Sequence, residues 1–193
     1  MLDVAGGVSS FCAEANKLGM NVTSLDPIYS LPPEKIMERS DPDLESVYQA
    51  IGRVPTYRWG YYKNPEYMCE LRKRASNIFL SDYKAHPDRY VAGELPRPSF
   101  ADAEFDLTLV SYFLFAYQDR LGYEFHRDSI FEIMRVTRGE ARIYPTVTFE
   151  AQSSEYVPML RSDPALQHFA FTEVKTDFEF LVNSNSYLRV TRD

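Results

Sequence analysis

Two glycines and an aspartate near the start of the chain are the residues best placed to do chemistry. Gly6 and Gly7 follow a short apolar run, Met1-Leu2-Asp3-Val4, and precede Val8, Ser9 and Ser10. Without side chains at 6 and 7, a ligand can approach the backbone closely. The amides of this turn open onto the start of a helix, which favours an anionic group. Asp26 comes 19 residues after Gly7, at the end of a second apolar run. A carboxylate there can accept both hydroxyls of a ribose. Turn and acid together point to a cofactor with an adenosine part.

The pattern separates some cofactors from others. A dinucleotide fingerprint needs glycines for the turn, the pyrophosphate and helix packing. Those positions hold Ala5, Gly7 and Ser10, so only the middle one is glycine. No Gly-Lys-Ser/Thr is present, which excludes a Walker loop. The three histidines do not cluster, and none forms a metal pair at helix spacing. His126 is a candidate general base just before a helix, against a bland reading as a capping or partly buried histidine. Tyr57, Trp59, Tyr61 and Tyr62 are candidates to line a substrate pocket, against simple packing on the sheet. The run Arg72-Lys73-Arg74 reads as a solvated helix face.

The elements that must position these residues alternate. Residues 1–4 read as a strand. Ser9 or Ser10 caps a helix that Gly19 ends, and 21–25 form a second strand. Such a β-turn-α-β unit implies a parallel sheet. The stretch 31–89 is long for one crossover and reads as a helical insertion. A helix opens at Pro33, restarts at Ser40-Asp41-Pro42 with Leu44, Val47, Tyr48 and Ile51 as its stripe, and ends at Gly52. Asn64-Pro65 opens the next helix, with a stripe of Tyr67, Met68, Leu71, Ala75, Ile78, Phe79 and Tyr83. Strands are predicted at 90–92, 105–110 and 141–144, and helices at 127–138, ended by Gly139, and 156–167. The tail, with Phe178, Phe180 and Val182, then Asn183-Ser184-Asn185, then Tyr187, Leu188 and Val190, reads as an antiparallel hairpin. The fold class is α/β: a doubly wound, mostly parallel sheet of about seven strands with a C-terminal hairpin.

Composition agrees with one soluble domain over residues 1–193. Apolar residues make 45% and charged residues 25%, enough for a core of its own. A net charge of -7 argues against nucleic acid as a partner, and no apolar run approaches a membrane span. Cys12 and Cys69, two and widely spaced, indicate neither a disulfide framework nor a cysteine metal site, and a cytoplasmic location is the default.

Four stretches then resemble the class I S-adenosylmethionine-dependent methyltransferases. Leu2-Asp3-Val4-Ala5-Gly6-Gly7-Val8-Ser9 resembles their first motif, a strand with an acid and a Gly-rich turn. Ser24-Leu25-Asp26-Pro27 resembles their acidic second motif. Gly93-Glu94-Leu95-Pro96 through Phe105-Asp106-Leu107 resembles a third stretch, and the terminal hairpin resembles the sixth and seventh strands. The resemblance implies a Rossmann-like methyltransferase fold and S-adenosylmethionine as cofactor. Asp3 and the backbone of Ala5, Gly6 and Gly7 would hold its methionine end. Asp26 would bind the ribose, Ile28 would cover the adenine, and Glu94 and Leu95 would flank its edge. Ser111, Tyr112 and Phe113 would lie near the sulfonium, with Tyr112 a second weak catalytic candidate beside His126.

Ala5 and Ser9 stand where the family usually has its first and third glycines, and Glu94 where aspartate is common. The family usually also has a helix before its first strand. This chain is expected to begin downstream of its natural start, or to have that edge covered by a partner. Ser111-Tyr112-Phe113-Leu114 lacks the two prolines of the motif found in methyltransferases that act on adenine or glutamine nitrogens. The reading that results is methyl transfer to a small molecule, with no metal, nucleic acid or membrane involved. Two alternatives remain: a dinucleotide-dependent oxidoreductase, and a non-catalytic descendant that binds a nucleoside or a protein partner.

Overall fold

In the computed structural model, which describes residues 1–38, 50–52 and 54–192, seven strands form one sheet. Its central strand, β1 (Leu2–Val4), is buried along its whole length, as a parallel strand covered on both faces must be. A turn leads to α1 (Phe11–Lys17). Ser9 Oγ accepts the Phe11 amide at 3.2 Å, and Ser10 Oγ donates to Glu14 at 2.6 Å. At the other end Gly19 takes φ +84°, and the amides of Gly19 and Met20 close back onto Asn16 and Ala15. That is the left-handed glycine stop the sequence calls for. The strand β2 (Thr23–Leu25) follows, and pairs in parallel with β1.

A short 3-10 turn (Pro27–Ser30) and a helix, α2, at 33–38 lead into the long crossover. The expected helix restart at Ser40-Asp41-Pro42, with Leu44, Val47 and Tyr48, lies outside the described residues. Helix α3 (Pro65–Ala85) begins where expected: Asn64 Oδ1 accepts the Tyr67 amide at 2.7 Å, and Pro65 occupies the first turn, where its missing N–H costs nothing. Its second half packs Phe79 and Tyr83 against Tyr29 and Tyr90, ring centroids 5.2–5.8 Å apart.

The remaining elements are β3 (Tyr90–Val91), β4 (Phe105–Ser111), α4 (Tyr123–Val136), β5 (Thr137–Tyr144), α5 (Tyr156–Ser162), β6 (Phe169–Lys175) and β7 (Ser186–Arg192). The sheet order is β3-β2-β1-β4-β5-β7-β6. The first five strands run parallel, and β7 enters antiparallel between β5 and β6. The order reverses between β1 and β4, the place where an open α/β sheet leaves a crevice at its carboxyl ends.

Three elements differ from expectation. Helix α4 begins four residues early, so His126 lies in its first turn rather than before it. Tertiary contacts hold that extra turn, since Gly122 has no side chain to cap it: Tyr123 donates to Asp163 at 2.6 Å and His126 is locked inside. Gly139 is not a helix stop but part of β5. A Cβ there would stand 2.2 Å from the Asp106 carbonyl oxygen, where the register with β4 shifts. The first strand of the hairpin is β6, not 178–182. Phe178 and Phe180 alternate with acids as a strand would, but they pack on Tyr57, Trp59 and Tyr62 and leave the sheet.

Candidate functional site

The turn after β1 is tied to the end of β2 by three hydrogen bonds. The Ala5 and Gly6 amides donate to the Leu25 carbonyl at 2.8 and 3.4 Å, and the Gly7 amide to Asp26 Oδ2 at 3.0 Å. The Ile28 amide donates to the other carboxylate oxygen at 2.9 Å. Each oxygen of Asp26 thus has one N–H partner and keeps lone-pair capacity for a ligand. Burial raises the pKa of Asp26, and the two amides pull it back. Gly7 takes φ +52°, a conformation that costs other residues about 1–2 kcal/mol.

Beneath Gly6 lies a buried polar chain. Ser24 Oγ is 3.3 Å from Asp3 Oδ2 and 2.9 Å from Tyr29 Oη, and Tyr29 donates to the Gly7 carbonyl at 2.8 Å. Asp3 is only 7% exposed and has no cationic partner among the described residues. Burial pushes its pKa up to about 6, against the Ser24 hydrogen bond. Ser24 donates to Asp3, a bond that favours the carboxylate, but the hydration lost on burial outweighs it.

Two cavities open along the carboxyl ends of the central strands. One, of about 490 Å³, is lined by Asp26 and Pro27 on one side, Glu94 and Leu95 on another, and Phe113 and Phe125 opposite. The second, of about 540 Å³, is lined by Asp3, the Gly6–Ser9 backbone, Ser111 and, across from them, Tyr62, Arg72, Ser76, Tyr144, Phe178 and Phe180. Ala5 and Tyr112 line both. These two residues end β1 and β4 with φ +58° and +51°, uncommon for side chains other than glycine. The crossing from β1 to β4 therefore carries local backbone strain at the point where the cavities meet.

Most of the predicted residues come together here. Asp3, Ala5, Gly6, Gly7, Asp26, Glu94, Leu95, Ser111, Tyr112 and Phe113 all line one cavity or the other. Ile28 does not. Its side chain packs on the cluster around Tyr29 and Phe79, and Pro27 lines the cavity in its place. Tyr57 and Trp59 do not line the second cavity but pack on Phe180, tilted and edge to face respectively, and Tyr61 is 65% exposed. Of that aromatic run only Tyr62 reaches the cavity.

His126 is corrected outright. It is fully buried, and its ring nitrogens lie 2.9 and 3.0 Å from the Gly122 and Leu114 carbonyl oxygens. Burial lowers its pKa, with both carbonyls opposing. A fully buried ring that faces backbone carbonyls at both nitrogens, donating to one of them when neutral, and lines neither cavity is a structural histidine.

Sequence reasoning missed Arg72, Ser76, Tyr144, Phe178 and Phe180. Arg72 and Ser76 are four residues apart, on one helix face. The polar Ser76, buried at 2% exposure inside the apolar stripe of α3, was the available signal. Among the described residues no group of three or more His, Cys, Asp or Glu could hold a metal ion.

Comparison with known proteins bears on this site. No family model matches the chain. The uncharacterized protein MJ0045 of Methanocaldococcus jannaschii is 36% identical over 194 residues, covering all of this chain and 85% of its own. The chain belongs to the MJ0045 family. Among solved structures, magnesium protoporphyrin IX methyltransferase from Synechocystis PCC 6803, determined with SAM bound, is similar at a TM-score of 0.50. Identity is 13%, over 100% of this chain and 69% of that one. The PH0226 protein of Pyrococcus horikoshii is similar at a TM-score of 0.48 and 16% identity, over 99% and 80%. The MJ0045 family member described here therefore has the class I methyltransferase fold, with the hairpin of β6 and β7 closing its sheet.

Proposed function

We propose that the protein is an S-adenosylmethionine-dependent methyltransferase acting on a small molecule. The observation that carries this reading is that the two cavities adjoin, sharing Ala5 and Tyr112 in their linings, with Asp26 in one and Asp3 in the other. One elongated ligand with a diol near one end and a cation near the other fits that arrangement.

The residues present fit the cofactor. Asp26 offers an acceptor from each carboxylate oxygen to a ribose diol, while Gly7 and Ile28 hold it in place. Leu25, Leu95, Phe113 and Phe125 give an apolar slot for a flat base. Asp3, buried without a cationic partner, suits an α-ammonium group, which would draw off its proton. Bound there, S-adenosylmethionine supplies a methyl group activated by its sulfonium. Asp26 and Asp3, one lining each cavity, would hold the cofactor at two points and so orient it. The aromatic wall would hold the acceptor in line, and alignment of this kind accounts for much of a displacement barrier. The acceptor's lone pair forms the new bond to carbon as the carbon–sulfur bond breaks. Its proton leaves to solvent, so no buried base is required.

The size of the second cavity supports a small acceptor. The 54–62 segment is joined to the β6–β7 connection by backbone bonds from Arg58 to Phe180 (2.6 Å) and from Val182 to Thr56 (2.8 Å). These bonds tie the two segments together on the aromatic side of the cavity. A cytoplasmic location belongs to the same reading. Both cysteines are free, and no helix among the described residues is long and apolar enough to cross a membrane.

Calorimetry with S-adenosylhomocysteine tests the proposal. Saturable binding of one equivalent is expected. A folded sample that gives no heat, and no thermal stabilisation at millimolar ligand, removes it.

A further inference from the structure

We infer that the acceptor is a flat, aromatic carboxylic acid whose carboxylate is held by Arg72 and Ser76 of α3. The inference rests on the methyltransferase reading and concerns the half of the second cavity which that reading leaves to the acceptor.

The wall on this side is aromatic. Tyr62, Tyr144, Phe178 and Phe180 face the cavity, and Tyr62 meets Phe178 and Phe180 edge to face, with centroids at 6.2 and 4.8 Å. Such a surface favours a planar apolar body. Two polar residues of α3 line it: Ser76, with a buried hydroxyl that has no partner among the described residues, and Arg72, whose side chain is exposed. Ser76 is 98% buried, lines the cavity, and its hydroxyl has no hydrogen-bond partner. A buried unpaired hydroxyl costs about 1–3 kcal/mol, so a donor kept there asks for an acceptor. One turn back on the same face stands Arg72, which lines the same cavity and has no acidic partner among the described residues.

The position of Arg72 assigns it to the acceptor and not to the cofactor. Burial pushes the phenols of Tyr57 and Tyr62 up, and the Arg72 charge pulls both back, which puts the guanidinium on the aromatic side. The two ends of the cavity thus carry opposite charges that do not pair: an acid for an ammonium, and a guanidinium with a hydroxyl for a carboxylate. A guanidinium fork matches a carboxylate in shape as well as charge. In a chain of net charge -7 this local cation is what lets an anion in.

The test uses the full chain saturated with S-adenosylhomocysteine and reads binding, not turnover. Two acids, 4-hydroxybenzoate and indole-3-acetate, are titrated by calorimetry beside their uncharged amides. At least one acid is expected to bind roughly tenfold tighter than its amide, about 1.4 kcal/mol. In Arg72→Met, which keeps the apolar stem, that ratio falls to about one while homocysteine-ligand affinity holds. Ser76→Ala is expected to weaken the acid and leave the amide unchanged. Equal affinity of acids and amides for the wild type, or no binding of either acid, overturns the inference while the methyltransferase reading stands. Loss of S-adenosylhomocysteine binding in Arg72→Met also overturns it, because Arg72 would then serve the cofactor's own carboxylate. Failure of S-adenosylhomocysteine to bind the wild type removes the underlying reading instead.

Discussion

The amide of Gly7 donates to Oδ2 of Asp26 over 3.0 Å, across 19 residues of sequence. With the bonds from Ala5 and Gly6 to Leu25, it closes the turn after β1 onto the end of β2. It uses a single lone pair of the acid, and the Ile28 amide uses one on the other oxygen. Asp26→Asn replaces one acceptor by a donor and removes the charge. The amide oxygen can serve Gly7 or Ile28 but not both, and a ribose hydroxyl then meets an N–H. S-adenosylhomocysteine affinity should fall at least tenfold by calorimetry, about 1.4 kcal/mol. The melting temperature should change little, since loss of a partly buried charge offsets the weakened turn. Unchanged affinity in the folded variant would separate Asp26 from ligand binding.

Asp3 makes stability and binding depend on pH in opposite senses. Its folded pKa, about 6, lies above its ordinary 3.8. The folded state therefore holds the proton more tightly. The stabilisation is complete below 3.8 and is lost as pH rises through 6. The interval is worth roughly 3 kcal/mol at 1.36 kcal/mol per unit. Asp3→Asn, which removes the buried charge while its amide oxygen still accepts from Ser24, should raise denaturant stability at pH 7.5. Ligand binding runs the other way. An ammonium needs the carboxylate, so S-adenosylhomocysteine affinity should drop as pH falls below 6 in the wild type. It should be flat with pH, and weaker, in Asp3→Asn. A flat wild-type profile between pH 5 and 7 contradicts the assignment.

The two glycines of the turn should fail for different reasons. A Cβ on Gly6 would lie 2.0 Å from Ser24 Oγ and 2.9 Å from both Asp3 Oδ2 and Tyr29 Oη. One on Gly7 meets nothing closer than Asp26 at 4.0 Å, but the residue sits at φ +52°. Gly7→Ala should cost about 1 kcal/mol of backbone strain. Gly6→Ala should cost more, about 2–3 kcal/mol, by splitting the buried polar chain. Removing the Ser24 hydroxyl relieves the closest contact, so Gly6→Ala with Ser24→Ala should cost less than the two changes summed. No such relief is expected between Gly7→Ala and Ser24→Ala. Denaturant midpoints of the five variants decide it, and strict additivity in the first pair would refute the crowding argument.

These particulars mark where sequence and structure part. Gly6, Gly7 and Asp26 were legible because the chemistry is local: a turn without side chains and a strand ending in an acid. Asn64-Pro65 and Gly19 were legible for the same reason, each being a cap whose partners lie within one turn. Phe178 and Phe180 were misread because alternation with Asp177 and Glu179 looks the same whether the apolar side meets a sheet or an aromatic roof. Gly139 was misread because what demands a glycine there is a carbonyl 33 residues away in β4, at Asp106. The acceptor half of the site, built by α3 against the β6–β7 connection, is entirely long-range, so no spacing rule reaches it.

His126 gives a last test, because its pH behaviour opposes that of Asp3. Its folded pKa is below 6.5, mainly through burial. The unfolded chain therefore takes up the proton first as pH falls. Stability from this group is complete above 6.5 and is lost on acidification. Over pH 4–6 the wild type should show the two slopes partly cancelling. Asp3→Asn removes one of them, so its stability should fall visibly from pH 6.5 downward. Adding His126→Gln should flatten the curve, at a cost of about 2–4 kcal/mol for disturbing a packed, hydrogen-bonded side chain. S-adenosylhomocysteine affinity at pH 7.5 should stay within about twofold, since the ring lines neither cavity. A large loss of affinity or turnover in a His126→Gln protein that still melts cooperatively would return the residue to the active site.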